Sequence, residues 1–550
     1  MRYFLLYLMV LASFQSIAQQ TIGLFRNDSS SYNGYTLFCP SAYETTYLID
    51  NCGEVVHTWQ SAFQPGLTGY LLPNGNLIRS AKLNNNINFI AGGAAGRVEL
   101  FDWDGNILWY YDYNDTNKVS NHDIQVLPNG NVLLLAFYDI TEDTALALGR
   151  NPATVDGGFW DGRIIEVQPT GMGTGNIVWE WRASDHSVQD YDSTKANYGV
   201  VAANPGKINI NYPNNLDADW LHLNGIDYNE SLDQILLSVH RFDEIWIIDH
   251  STTTAEAASA SGGNAGKGGD LLYRWGNAAA YKRGPLTEQI LHKQHDAQWV
   301  KPGYPNAGNI TVFNNGQGRP AGDYSTVEMI VPPLLPDGNY ALQPGQPFGP
   351  DTAFYNYTAN PPLGFYSRNI SGAQALPNGN ILVCEGTEGR LFEIAPNDSI
   401  VWQYIVPVNA LGPVSQGLQP VSNNTFQAVR YGADFSAFIG KTLTPQGPIE
   451  LNPLPSNCQI YVTDTTGIRQ TVAFSPNLFP NPSTGNIQVT LPKGETGVIK
   501  VASVSGALVF ETDLVSEVAV VNLPKVSRGL YLYQIITHSG KFAAGKIVLE

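Results

Sequence analysis

Charge is scarce in this chain, and what there is leans one way. Only 14% of the 550 residues are Asp, Glu, Lys or Arg, and 48 acidic against 30 basic residues leave a formal charge of −18. That field argues against nucleic acid or an anionic membrane surface as the main partner, since both attract basic proteins. Cysteine is sparser still, with four residues and no Cys-x-x-Cys or Cys/His zinc spacing, which argues against structural zinc. The apolar stretch Phe4 to Ala12 is too short to cross a bilayer and nothing later is longer, so no membrane span is expected. The Gly-rich run Gly262 to Gly269 holds a lysine but lacks the G-x-x-x-x-G-K-[ST] pattern, and no G-x-G-x-x-G opens a helix. No nucleotide cofactor is expected, and the run reads as a flexible surface loop.

Aromatic and turn-forming residues are plentiful: 11 Trp, 28 Tyr, 22 Phe, 54 Gly and 34 Pro. That mixture suits many short strands joined by tight turns, an all-β chain. Met1-Arg2, the apolar Phe4 to Ala12 and the small residues of Ser16-Ile17-Ala18 read as an export signal over residues 1–18. The mature protein is expected outside the cytoplasm, where a Cys39–Cys52 disulfide is plausible from their closeness in sequence. Four reduced, half-buried cysteines fit the sequence equally well.

Two signatures alternate along residues 19–455. One is an apolar strand, a polar turn and a strand ending in Trp or Tyr, as in Tyr47 to Trp59, Val98 to Tyr111, Ile164 to Trp181 and Leu391 to Tyr404. It is stretched by insertions between Ile245 and Trp275 and is diffuse between Val327 and Tyr357. The other joins two apolar strands through LPNGN or a relative, at Leu71, Val126, Tyr228, Val300 and Ala375, with a weaker member around Phe426 to Phe438. Asn-Gly suits a two-residue hairpin turn because both positions need positive φ. Two hairpins per repeat give the four strands of a propeller blade. Six blades are expected.

A linker over 456–473 then leads to short alternating strands in 474–550, a small β-sandwich. Leu478-Phe-Pro-Asn-Pro-Ser-Thr-Gly485, Arg528-Gly-Leu-Tyr531 and the ending Lys546-Ile-Val-Leu-Glu550 closely resemble the C-terminal sorting domain of the type IX secretion system. The resemblance implies that secretion machinery as a partner, passage across an outer membrane, and a secreted or cell-surface product.

Aligned on their turns, the inner hairpins give one column: Leu67, His122, His222, His295 and Ser371, the sixth place remaining open. Innermost strands line the channel of a propeller, so three imidazoles from successive blades are expected to meet in one funnel. Imidazole is the side chain suited to nucleophilic and proton-transfer work near neutral pH. His57, His186, His250 and His292 fall in outer strands, connections or insertions and take no role.

The stretches HDIQVLPNGN, DWLHLNGIDYN, SVHRFDEIWIIDHSTT, GDLLYRWGN with QHDAQW, FNNGQGRP and YSRNISGAQALPNGNILVCEGTEGR resemble the bacterial arylsulfate sulfotransferase family across most of Gly34 to Phe438. The resemblance implies a six-bladed propeller that moves a sulfuryl group from a phenolic sulfate donor to a phenol acceptor, without the nucleotide donor PAPS. It implies a sulfated histidine at His295, a second pocket histidine at His122, and a His-x-Asn pair at His222 and Asn224. The family's arginine on the following strand falls on His240 or Arg241. The N-terminal β-sandwich of family members has no counterpart between Gln19 and Tyr35.

A neutral imidazole at His295 can attack sulfur and expel a phenolate, dividing one hard displacement into two easier ones. His222, Asn224 and His240 or Arg241 are expected to donate to the sulfuryl oxygens, and His122 to pass a proton to and from the phenol. Asp296 is expected to be structural. Trp220, Trp299 and Phe365 are candidates to stack the phenol ring, although core packing explains them better. Two other readings compete: a three-histidine metal enzyme, and a non-catalytic secreted propeller for adhesion or ligand binding.

Overall fold

The computed structural model describes residues 19–461, 476–503, 508–523, 528–537 and 542–550. The export signal over 1–18 and most of the linker lie outside the described residues. Contacts divide the chain near residue 463 into two compact units. Among the described residues no helix is long and apolar enough to cross a membrane.

The first unit is a six-bladed propeller of antiparallel sheets. Blades 2 to 6 run in chain order, with inner strands Pro65–Leu71, Lys118–Val126, Leu223–Asn229, His295–Trp299 and Gly372–Ala375. Blade 1 takes its inner strand, Thr425–Gly432, from the far end of the chain and pairs it with Gly34–Pro40. The stretch Phe426 to Phe438 is therefore not a sixth inner hairpin. It is one strand and a 3-10 turn, and its partner lies almost four hundred residues earlier, because a ring closes only by joining its two ends. Gly23–Asn27 adds a fifth strand outside Ile400–Ile405 of blade 6.

The Trp that ends the outer strands explains how neighbouring blades hold together. Trp59 donates its indole N–H to the Asp102 carbonyl at 3.0 Å, Trp109 to Thr174 at 2.9 Å and Trp181 to Gly269 at 2.8 Å. Trp275 donates to Pro350 at 2.7 Å and Trp402 to Asn51 at 2.8 Å. Each bond crosses to the next blade, so one side chain supplies apolar bulk and satisfies a carbonyl. Blade 5 ends on Tyr357, which has no indole to offer.

A second set of clasps works near the axis, where each inner strand presents a free edge. Asp123 accepts the Ile226 N–H at 3.0 Å, Asp227 that of Trp299 at 2.7 Å, and Asp296 that of Ala373 at 3.0 Å. Gln374 accepts from Arg430 at 2.8 Å, and the Tyr431 hydroxyl from Leu71 at 2.8 Å. Asp296 is thus a structural clasp, its carboxyl pushed up to about 6 by burial.

The sequence misassigns two local features. Cys52 bonds Cys458, while Cys39 and Cys384 are free and buried. Cys39 lies inside blade 1 against Thr46, whereas Cys52 sits in an outer turn that the tail Leu451–Tyr461 passes. The Gly-rich run is not loose: Ala265 N–H donates to Asp249 at 2.8 Å, and Gly269 lies buried against His186.

The second unit is a β-sandwich. Asn477–Phe479, Asn486–Thr490 and Val518–Asn522 form one sheet, and Gly497–Ser503, Leu508–Leu514, Gly529–Thr537 and Phe542–Leu549 the other. They enclose Ile487, Val489, Ile499, Val501, Ile535 and Ile547.

Candidate active site

Four imidazoles stand edge to edge at one mouth of the propeller. Ring centroids are 4.7 Å apart for His122 and His222, 5.0 Å for His222 and His240, and 5.3 Å for His240 and His295. Phe426, from the strand that closes the ring, touches both ends at 5.7 Å from His122 and 5.8 Å from His295. It fills the sixth place that repeat alignment leaves open.

Backbone irregularity aims these rings. The inner strands of blades 3, 4 and 5 all shift register around the histidines, as bulges do where a side chain must be redirected. His122 and His222 both have φ +50, and Asp296 has φ +54. Left-handed backbone at such residues is uncommon and concentrates at functional sites.

The last ladder pairs before the turns are Val126 with Val132, Asn229 with Gln234 and Trp299 with Ile310. His122 and His295 each lie four residues before that pair, whereas His222 lies seven before it, just ahead of its strand, so blade 4 departs from the expected column. The His222 side chain keeps 12% exposure. His122 and His295 are 2% exposed. Neither of two surface cavities, of about 610 and 210 Å³, is lined by an arc histidine.

Hydrogen bonds fix the proton on three of the four rings. His295 donates from Nδ1 to Asn315 Oδ1 at 2.7 Å, with the Lys293 carbonyl also within 3.1 Å. Its Nε2 carries the lone pair and accepts the Ile370 N–H at 3.2 Å. Burial first, and then the neighbouring His222, pull its pKa down to about 3 against those bonds. His122 is the opposite tautomer: Asn121 Nδ2 donates to its Nδ1 at 3.1 Å, which leaves the proton on Nε2. Burial, then His222 and His295, hold His122 and His240 well below the usual imidazole range. His240 Nδ1 is buried without a partner.

His222 has a carboxylate behind it, Asp219, bonded to Nδ1. Arg241 binds Asp217 and lies 3.9 Å from Asp219, so it backs the carboxylate rather than joining the arc. His240 holds the place in the arc that the sequence leaves open between the two. Asn224 is fully buried and gives Nδ2 to the Gln294 carbonyl at 3.0 Å, tying blade 4 to the start of blade 5. Trp220, Trp299 and Phe365 are buried in the core.

Asn121, Asp219, Asn315 and Phe426 are residues that sequence reasoning missed as site components. The first three stand inside or beside the stretches that carry the family resemblance, and only spatial pairing distinguishes them there. Phe426 has no such signal.

The arylsulfotransferase (ASST) family model matches residues 28–331, more than half the chain, and that of the secretion system C-terminal sorting domain matches 477–550. The chain belongs to the arylsulfotransferase family, whose activity is of the sulfotransferase type, and its sorting domain makes it a secreted or cell-surface protein. The first match stops within blade 5, short of the Phe438 limit expected from sequence. No curated protein matches the chain. Among solved structures, a protein of unknown function from Bacteroides caccae is similar at 12% identity over 68% of this chain and 94% of that one, TM-score 0.37. The β-propeller domain of Myceliophteria thermophila Cps50 (Swd1) is similar at 10% identity over 71% and 87%, TM-score 0.34. A virginiamycin B lyase from Staphylococcus aureus is similar at 10% over 72% and 87%, TM-score 0.33. Scores this low carry no argument about this chain.

Proposed function

We propose that the protein is a PAPS-independent aryl-sulfate sulfotransferase that carries the sulfuryl group on His295. The observation that supports this best is the tautomer of His295. Its Nδ1 proton is spent on Asn315 and burial keeps the ring neutral, so Nε2 holds a nucleophilic lone pair at physiological pH. Attack by Nε2 on sulfur breaks the S–O bond, and the phenolate leaves with the electron pair. A phenol acceptor then takes the sulfuryl group from His295 and returns the lone pair to Nε2.

Bonding partners exchange two expected roles. His222, with Asp219 behind its Nδ1, has the arrangement of an acid–base residue and protonates the departing phenolate. His122, with its proton on Nε2, donates to a sulfuryl oxygen, and the unpartnered His240 Nδ1 supplies a second polar contact. Asn224 and Arg241 act through Gln294 and Asp219.

The test is incubation with a chromogenic aryl sulfate, with and without a phenol acceptor, followed by mass spectrometry of the His295 peptide. Sulfation at His295 and background turnover in His295→Ala are expected. The binding-module reading draws on the burial of His122 and His295, and equal, background turnover in both proteins would favour it. Among the described residues no group of three His, Cys, Asp or Glu side chains is arranged to hold a metal ion. Activity that tracks stoichiometric metal would favour the metal-enzyme reading.

A further inference from the structure

The lone pair that must attack sulfur is already occupied, by the Ile370 N–H at 3.2 Å from His295 Nε2. The segment that delivers this N–H is strained: Ile370 has φ +51 and Ser371 φ +96. A β-branched residue in left-handed backbone persists only where its surroundings impose it. Here they do. A Cβ added at Gly386 would stand 2.7 Å from Ile370 Cγ1, so the isoleucine fills that glycine's space. Ser371 N–H donates to the Phe426 carbonyl at 3.1 Å. Asn315 Nδ2 donates to the carbonyls of Ser367 at 2.8 Å and Ile370 at 2.9 Å. The Oδ1 of that same amide accepts the His295 Nδ1 proton.

We propose that Asn315 is a positioning residue that sets the His295 tautomer and holds the Ile370 N–H as a displaceable cap on the nucleophile. The proposal rests on the sulfotransferase reading above. In the first half-reaction the N–H···Nε2 bond gives way to an Nε2–S bond, while the S–O bond breaks toward phenolate. The N–H, still anchored through Asn315, then faces a sulfuryl oxygen. When the acceptor attacks, the N–S pair returns to Nε2 and the cap re-forms. The titratable groups around His295 are His122, His222 and His240 across the arc, with Lys293 two residues before it. Lys293 Nζ itself lies on Asp243 at 3.1 Å.

Asn315→Asp keeps the acceptor for Nδ1–H, removes both donors, and sets a carboxylate against the ring. The burst of phenolate from a chromogenic aryl sulfate, followed against pH, should show its acidic limb moved upward by at least about one unit. Asn315→Ala should slow the burst about 10-fold or more without moving the limb upward, since the bond it removes raises the ring's pKa. An unmoved limb in Asn315→Asp, with sulfohistidine still formed, overturns the proposal. Failure of the parent reading looks different, as absence of sulfohistidine in the wild type. The cap is then read from ¹⁵N imidazole shifts in the full chain. Nδ1–H in the wild type and its loss in Asn315→Ala support the assignment; Nε2–H in the wild type overturns it.

Discussion

Gly93 lies so close to His122 that a Cβ built there would stand 2.1 Å from the imidazole. Its carbonyl accepts the His122 backbone N–H at 2.8 Å, and its own φ is +79. A glycine is what lets this loop of blade 2 close over the first ring of the arc. Gly93→Ala should drive the ring away from His222 and lower kcat/KM for sulfuryl transfer at least about 10-fold. The stability cost should exceed the ~1–2 kcal/mol of a left-handed alanine, because the buried ring must also give way. Kinetics beside a thermal melt separate the two, and an unchanged kcat/KM would show that the His122 ring has no part in the chemistry.

Asp219→Asn preserves shape but presents His222 with an amide in place of its carboxylate. Orientation of the proton-transfer group is lost, and kcat should fall by about 10²–10⁴. Arg241→Gln leaves the Asp219–His222 bond in place and should cost much less, with little change in KM for the donor. A large KM increase in Arg241→Gln alone would return the arginine to direct sulfuryl contact.

The fold was more legible than the site, for a physical reason. Propeller hairpins repeat their turn chemistry, so LPNGN and the terminal Trp mark blades wherever they recur. Trp59, Trp109, Trp181, Trp275 and Trp402 each meet the next blade in one way. Ring closure leaves no local trace: nothing in the chain around Phe426 announces Gly34–Pro40 as its partner. The histidines were visible by repetition, yet their heights were not, because the blade 4 strand reaches its turn seven residues after His222 and not four. Protonation states were out of reach, since Asn315 and Asp219 act through bonds that only the folded chain makes.

His250 joins blades 3 and 4 through Glu166 at 3.1 Å and Asp233 at 2.8 Å. Despite the opposing effect of burial, the bonds to the two carboxylates raise its pKa to about 9. A raised folded-state value gives stability that is fully present below the unfolded imidazole pKa near 6.5 and is lost as pH rises through about 9. Glu166 and Asp233 are depressed, so their share is present above the ordinary carboxylate range and is lost on acidification. Unfolding free energy should therefore fall by up to about 3 kcal/mol between pH 6.5 and 10, and less in His250→Gln. Denaturant titrations across that range measure it, and parallel pH curves for the two proteins would remove His250 from the account.

The Cys52–Cys458 bond spans 406 residues and fastens the tail that follows the closing strand to an outer turn of blade 1. Blade 1 takes its inner strand from the far end of the chain, so its strand pair Gly34–Pro40 with Thr425–Gly432 is where opening is expected to begin. A link beside that seam restrains the unfolded chain and also keeps the last strand near its partner when the seam loosens. Cys458→Ser should lower unfolding free energy by about 2–5 kcal/mol and speed unfolding. The arc histidines sit in other blades, so turnover at 25 °C should stay within about twofold of the wild type. Hydrogen exchange should rise first in Thr425–Gly432. Uniform acceleration across all six blades, with the seam no faster than the rest, would show that the bond guards the whole ring and not its closure.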